Sequence, residues 1–410
     1  MDILPILSTL RRHKITAWLL ILEIALTCAI VCNAVFLISQ RLERMNLPSG
    51  IAEHELVQVQ LANIGNRSDA GARAKTDLAA LRQIPGVTQV ALVFQTPFTD
   101  GGSSNSGIKL DPQQQEDTAD VTQYMGENLL PTLGTRLVAG RDFRPDEFVD
   151  LDAAVAALHN GNLKGLPQVL VITQALAERL WPGQSALGKQ IYLGQGLPFR
   201  VIGVVAHLAR PNRLSKGVEY STVWPISMNV AQGASFLIRC APQERERVLK
   251  SALAALKQLD PNRVVLQKRT YDEARHAFFA NDRAMTGILV GVCLALLIVT
   301  ALGIVGLASF WVAQRRRTIG VRRALGATRA NILHYFQTEN FLLATLGIVL
   351  GMVLAYGINL FLMMHYELPR LPAVYFPVGA ALLWVIGQIA VFGPAMRAAA
   401  VPPVVATRSV

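Results

Sequence analysis

The stretch MTGILVGVCLALLIVTALGIVGLASFWV, Met285–Val312, contains no charged residue and runs into Gln314-Arg315-Arg316-Arg317. At ~1.5 Å per residue a helix of this length exceeds the ~30 Å hydrocarbon core of a bilayer, so the stretch reads as a membrane span with a basic flank. Three more runs read the same way: Ile15–Ile38, Phe341–Met364 and Phe376–Phe392, the last broken by Pro377 near its start. The first is too long for the ~7–15-residue core of a signal peptide and no small-residue cleavage site follows it, so it is expected to be a retained helix.

Composition agrees with this reading. Only 16% of the 410 residues are charged, against roughly 25% in soluble proteins. The formal net charge of +11 invites a nucleic-acid partner. Its distribution argues otherwise. Arg11, Arg12 and Lys14 precede the first span, Arg315, Arg316, Arg317, Arg322, Arg323 and Arg329 follow the second, and Arg397 and Arg408 follow the fourth. This is the pattern of the positive-inside rule, not of a basic face studded with base readers. The expected fold is an α-helical membrane protein with four transmembrane helices and a large α/β extracytoplasmic domain inserted between the first and second. Its expected segments are a cytoplasmic N-terminus (1–14), the first span (15–38), an external domain with stalk ends (39–284) and the second span (285–312). A cytoplasmic connection (313–340), the third span (341–364), a short external loop (365–375) that includes His365, Glu367 and Arg370, the fourth span (376–392) and a cytoplasmic tail (393–410) complete the chain.

The external region reads as two similar β-α-β units around an insert. In the first, Glu55–Leu61 alternates as a strand, Ala72–Gln83 has helical spacing and Val87–Phe94 is a second strand after Pro85-Gly86. The second unit repeats this with strand Ser235–Cys240, helix Gln243–Leu259, the turn Asp260-Pro261-Asn262 and strand Arg263–Lys268. Together they form one subdomain (55–99 plus 233–270) interrupted by another (100–232). Within the insert, Val169–Ile172, Gln190–Leu193 and Phe199–Val205 read as strands, residues 174–180 as a helix, and the run from Gly101-Gly102 to Ser106 as a loop. Cys28, Cys32 and Cys293 lie in spans, which leaves Cys240 without an external bridging partner. All four read as small buried hydrophobes.

The cytoplasmic connection is the candidate site. From Arg315 to Arg329 it holds six arginines and no acid, and Ile319, Val321, Ala324 and Leu325 suit a short amphipathic helix. Such a helix could dock in a groove of a cytoplasmic partner or simply sit beside acidic lipid headgroups. Gly320 and Gly326, set between the charges, favour a shaped contact. Glu23, ~12 Å into the first span, is expected to face another helix or a dimer seam, in either a functional or a purely structural role. The seven histidines are scattered without metal-ligand spacing, and there is no G-x-S-x-G elbow and no phosphate-binding loop.

The run Arg317-Thr318-Ile319-Gly320-Val321-Arg322-Arg323-Ala324-Leu325-Gly326-Ala327 resembles the signature of MacB/FtsX-type ABC transporter permeases, although Thr318 stands where the family usually has an acid. Pro85-Gly86-Val87, Leu133-Gly134, Leu137-Val138-Ala139-Gly140-Arg141-Asp142-Phe143, Leu176-Ala177, Leu187-Gly188-Lys189 and Val201-Ile202-Gly203-Val204-Val205 resemble the MacB-like periplasmic core domain, and Arg397-Ala398-Ala399 with Pro402-Pro403 resembles the family ending. The resemblance implies a non-enzymatic permease subunit in a bacterial inner membrane, with both termini cytoplasmic. A separate cytoplasmic ATPase would bind ATP and Mg, leaving this chain without a cofactor, and residues 317–326 would receive the ATPase's motion. It also implies a second permease copy or a related permease as partner, contact with membrane lipids, and a periplasmic adaptor and outer-membrane channel as further candidate partners. The function it implies is mechanotransmission for export of peptides, antibiotics or other amphiphiles. Lipoprotein extraction and FtsX-like regulation of cell-wall hydrolases are the alternatives.

Overall fold

The computed structural model describes residues 14–62, 69–98, 104–160, 165–193, 196–212, 217–230, 235–366 and 370–401. Arg11, Arg12, Gly101-Gly102-Ser103, Glu367, Pro402-Pro403 and Arg408 lie outside the described residues. Two compact units emerge, Asn46–Ala280 and the pair Met1–Met45 with Asn281–Val410.

In chain order the elements are α1 (Lys14–Met45), β1 (Leu56–Ala62), α2 (Ala70–Arg82), β2 (Val87–Val93), β3 (Asn105–Lys109), β4 (Ala119–Met125), α3 (Leu129–Leu133), β5 (Leu137–Gly140), β6 (Val149–Asp150) and α4 (Leu151–His159). There follow β7 (Val169–Thr173), α5 (Gln174–Leu180), β8 (Gln190–Leu193), β9 (Leu197–Val205), β10 (Ser221–Trp224), β11 (Ile226–Ser227), β12 (Ser235–Cys240), α6 (Arg245–Leu259) and β13 (Val264–Thr270). The last five are α7 (Tyr271–Phe278), α8 (Ala280–Gln314), α9 (Arg316–Ala324), α10 (Arg329–Tyr366) and α11 (Tyr375–Ala399).

α1, α8, α10 and α11 are long and apolar enough to cross a membrane. The chain is an α-helical membrane protein with an α/β domain between its first and second spans. α1 is the most enclosed helix. Thr27 Oγ1 meets Thr300 Oγ1 of α8 at 2.8 Å, and Asn33 Nδ2 donates to Ala355 O of α10 at 3.1 Å. Gly379 of α11 lies so close to α1 that a Cβ there would come within 2.5 Å of Cys32 Sγ. Asn340 Nδ2 joins α10 to α11 by donating to Gly387 O at 3.0 Å. Pro377 does not break the fourth helix: it falls in the first turn, where no earlier carbonyl needs its missing N–H, and α11 continues to Ala399 past Pro394. α10 begins twelve residues before Phe341, so the polar stretch 329–340 is helix and not connecting loop.

In the other unit the two β-α-β segments meet in one antiparallel sheet, ordered β13-β1-β12-β2. Val57, Val59 and Leu61 of β1 point to the face covered by α2 and α6, where Leu78, Leu81, Val248, Ala252 and Leu256 complete the core. The alternate residue Leu56 points the other way, into a second core with Ala91, Val93, Tyr124, Val171, Val205 and Val223. Both faces of β1 are thus largely buried although the strand alternates: Gln58 lies on the Leu56 face and is itself 5% exposed. The insert is a seven-stranded mixed sheet ordered β5-β9-β7-β10-β4-β3-β8. Asn105 and Ser106 belong to its strand β3 instead of to a loop. Asn105 Oδ1 accepts from Thr122 Oγ1 at 2.6 Å and from the buried Arg210 Nη2 at 3.2 Å, which fixes the strand from its polar side.

Residues 140–147 carry a staple. Gly140 adopts φ +77, and a Cβ there would collide with the Ile202 carbonyl, so only glycine allows β5 to lie this close to β9. Arg141 then donates Nη1 to Glu147 Oε2 at 2.8 Å and Nη2 to Glu147 Oε1 at 2.5 Å. This pairing, reinforced by the Arg144 amide, holds the Glu147 carboxyl down at about 2 from its usual 4.5. A depressed carboxylate stabilises the fold above its unfolded value, and that contribution is lost as pH falls through the folded value. Hydrogen exchange on the full chain is therefore expected to show amides 143–148 losing protection between pH 4.5 and about 2. Glu147→Gln should have the low protection already at pH 7 and lose the pH dependence.

Candidate coupling site

α8 ends at Gln314, and the chain turns at Arg315 into α9, Arg316–Ala324. α9 is terminated by backbone bonds from Gly326 N to Arg323 O (3.2 Å) and from Ala327 N to Arg322 O (3.0 Å), with Gly326 at φ +98. These are the two bonds of a glycine-terminated helix end. A Cβ on Gly326 would meet nothing within 4 Å, so its requirement is backbone conformation, independent of any partner. Thr328 Oγ1 accepts from Asn331 N at 3.2 Å and starts α10.

Two faces of α9 differ in chemistry. Ile319 and Gly320 are buried, Ile319 among Val312, Ile332, Phe336, Ala395 and Ala398. Arg323 Nη1 donates to Ala399 O at 2.5 Å, and the Arg322 guanidinium lies 5.0 Å from the Tyr335 ring centroid. Arg315 Nη1 donates to both oxygens of Glu339 at 3.1 and 3.0 Å. Three of the six arginines are therefore engaged with the helical bundle. The opposite face presents Arg316, Arg317, Thr318, Val321, Ala324 and Leu325, with Leu325 83% exposed. The apolar residues do not form one stripe as their spacing predicts: Ile319 anchors the helix, whereas Val321 and Leu325 point outward. An outward ridge of Val321 and Leu325 bordered by guanidinium groups can insert into an apolar socket with an acidic rim.

Glu23 faces α8. A Cβ on Gly303 would come 2.6 and 2.7 Å from its carboxylate oxygens, so the glycine makes room for the acid. Sequence reasoning took Glu23 as the sole ionisable group deep in a span and passed over Glu339, which is 1% exposed inside α10. The absence of any acid between Arg315 and Arg329, with six arginines seeking partners, was the available signal. All four cysteines are free and buried. Among the described residues no cluster of His, Cys, Asp and Glu could hold a metal ion.

In the other unit Arg275 joins three passages of the chain. It donates to Glu53 Oε1 at 2.5 Å and Leu47 O at 2.6 Å, and its guanidinium lies 4.8 Å from the Phe98 ring and 5.5 Å from the Phe279 ring. Phe98 is buried at φ +50, a conformation a bulky residue holds only when its surroundings enforce it.

Residues 20–256 match the family model for the MacB-like periplasmic core domain, more than half of the chain, and residues 290–403 match that for the FtsX-like permease C-terminal region. The chain is 26% identical over 266 residues to YvrN, an ABC transporter permease of Bacillus subtilis (strain 168), a match covering 61% of this chain and 64% of that one. It is 27% identical over 243 residues to the macrolide export ATP-binding/permease protein MacB of Chromobacterium violaceum, covering 58% and 37% respectively. The crystal structure of the periplasmic region of MacB from Actinobacillus actinomycetemcomitans aligns over 56% of this chain and 94% of that one, at 16% identity and a TM-score of 0.33. The chain thus spans less than two thirds of the length of these curated relatives.

Proposed function

Because the chain belongs to the MacB/FtsX-type family of ABC transporter permeases, we propose that it converts the cycle of an ABC ATPase lying outside these 410 residues into movement on the far side of a bacterial inner membrane. Residues 317–326 receive that motion, and α1 and α8, which bracket the α/β domain in sequence, pass it outward. ATP and Mg belong to the ATPase. The termini lie on its side of the membrane, a second permease completes the assembly, and an adaptor with an outer-membrane channel is the route outward. The relatives named for macrolide export favour peptides, antibiotics or other amphiphiles as the exported class.

The observation that carries this reading is the outward ridge of α9. Leu325 is 83% exposed and Val321 43% exposed, on a helix whose other face is anchored to the bundle through Ile319 and Arg323. An electrostatic membrane anchor needs only the arginines. Two exposed apolar side chains at a spacing of four, on a helix ended by its own glycine, suit a shaped socket. Val321→Glu/Leu325→Glu changes only this face and should leave the bundle folded. Co-purification from detergent-solubilised membranes is expected to bring down an ATPase with the wild type and at least tenfold less with the double variant. If equal ATPase accompanies both, α9 is not its contact.

A further inference from the structure

Where α8 gives way to α9, the bundle encloses a charge pair and more donors than acceptors. Glu339 and Asn340 of α10 are 1% and 5% exposed, and Trp311, one turn before Arg315, is 4% exposed. Arg315 spends one nitrogen on the Glu339 carboxylate, while its Nη2 and the Trp311 Nε1 are buried without an acceptor among the described residues. Trp311 lines a cavity of about 10 Å³ together with Phe336, Glu339 and Asn340 and with apolar groups of α1, α8, α10 and α11. That volume is about that of one water molecule, and the site offers the polar partners a buried water needs.

We infer that Arg315 and Glu339 are a positioning pair that fixes the elbow between α8 and α9, and that a single internal water between the Trp311 indole and the Glu339 carboxylate completes the hydrogen bonding beside it. This rests on the reading of α9 as the receiver of the ATPase's motion. A pair of leucines would join the helices more cheaply, since buried ion pairs often gain little over apolar contacts. What the pair adds is direction: a guanidinium on a carboxylate has a fixed geometry, whereas apolar side chains slide. The water supplies the acceptor the indole lacks and lets the pair stay hydrogen-bonded while the elbow bends. A thrust on α9 is then carried along α8 instead of being absorbed at Arg315.

The test uses the full chain co-purified with its ATPase and spin-labelled at Met285 and Met364, exposed positions at the distal ends of α8 and α10. Glu339→Gln and the double replacement Arg315→Met/Glu339→Met are expected to keep the ATPase bound and ATP turnover within twofold. They should lose more than half of the nucleotide-dependent change in the label distance. A double-methionine complex that moves like the wild type overturns the positioning role, because apolar contact would then suffice. Trp311→Phe, which removes the indole N–H but keeps an aromatic ring beside the Arg315 guanidinium, should weaken the distance change while preserving assembly. X-ray radiolytic footprinting, which oxidises side chains beside bound water, should label Phe336 well above the equally buried Phe36, both 4% exposed; equal labelling refutes the water. A wild type that binds no ATPase, or whose labels do not respond to nucleotide, overturns the coupling reading and this inference with it.

Discussion

Gly351→Leu is expected to separate α10 from α1 and to destabilise the membrane unit by about 3 kcal/mol, the upper end of the usual range of overpacking in a close-fitted interior. Gly347 and Gly351 form a small-x-x-x-small pair that brings the two helices into backbone contact. A Cβ on Gly351 would stand 2.5 Å from Cys28 Cβ and 2.7 Å from Ala25 O, and one on Gly347 would stand 2.8 Å from Ile24 Cβ. These obstacles are backbone and Cβ atoms, which cannot rotate away. The bond from Asn33 Nδ2 to Ala355 O, 3.1 Å long, would be lost with the contact. Gly357, one and a half turns on, has nothing within 4 Å of a would-be Cβ and is the control. Denaturant unfolding of the full chain should show Gly351→Leu far below the wild type and Gly357→Leu within about 0.5 kcal/mol of it. Equal losses would mean that α10 does not pack on α1 through this face.

That glycine pair was not read from the sequence, and the reason is instructive. Hydropathy reports which helices enter a membrane, because lipid tolerates only apolar surface and internally bonded backbone. Once inside, an apolar residue can face lipid or protein equally well, so hydropathy is silent on which face packs. The same limit hid Glu339, whose partner Arg315 lies on another helix. In the α/β unit the alternation of β1 was legible because Val57, Val59 and Leu61 enter one core while Gln58 and Gln60 lie on the other face, and the helical spacing of α2 and α6 was legible because each buries one side. β3, β4 and β10 were not: Asn105 read as a loop residue, and the polar Thr122 and Ser221 carry no strand signal until Arg210 and Thr173 are placed beside them. In α9 the motif was visible but its division was not. Only packing shows that Ile319 and Arg323 hold the helix to the bundle while Val321 and Leu325 are free to meet a partner.

The second large effect lies in the α/β unit. Arg263, at the start of β13, donates Nη1 to Asp77 Oδ2 of α2 at 2.7 Å, with side chains 3% and 1% exposed. Burial pushes the Asp77 carboxyl up, and the Arg263 guanidinium only partly pulls it back, so solvation lost on folding outweighs the pairing. Arg263 Nε is buried without a hydrogen-bond acceptor among the described residues, although Asp260 Oδ2 stands 3.6 Å away. Asp77→Ala would leave a guanidinium buried beside a cavity and is expected to destabilise the unit by about 3–5 kcal/mol. The double replacement Asp77→Leu/Arg263→Met removes both charges while keeping the volume, and should recover most of that loss. Denaturant unfolding of the wild type, Asp77→Leu, Arg263→Met and the double variant, combined as a double-mutant cycle, separates pairing from desolvation. If the double variant is as unstable as Asp77→Ala, the pair is a net source of stability, and the link between α2 and β13 depends on charge instead of on packing.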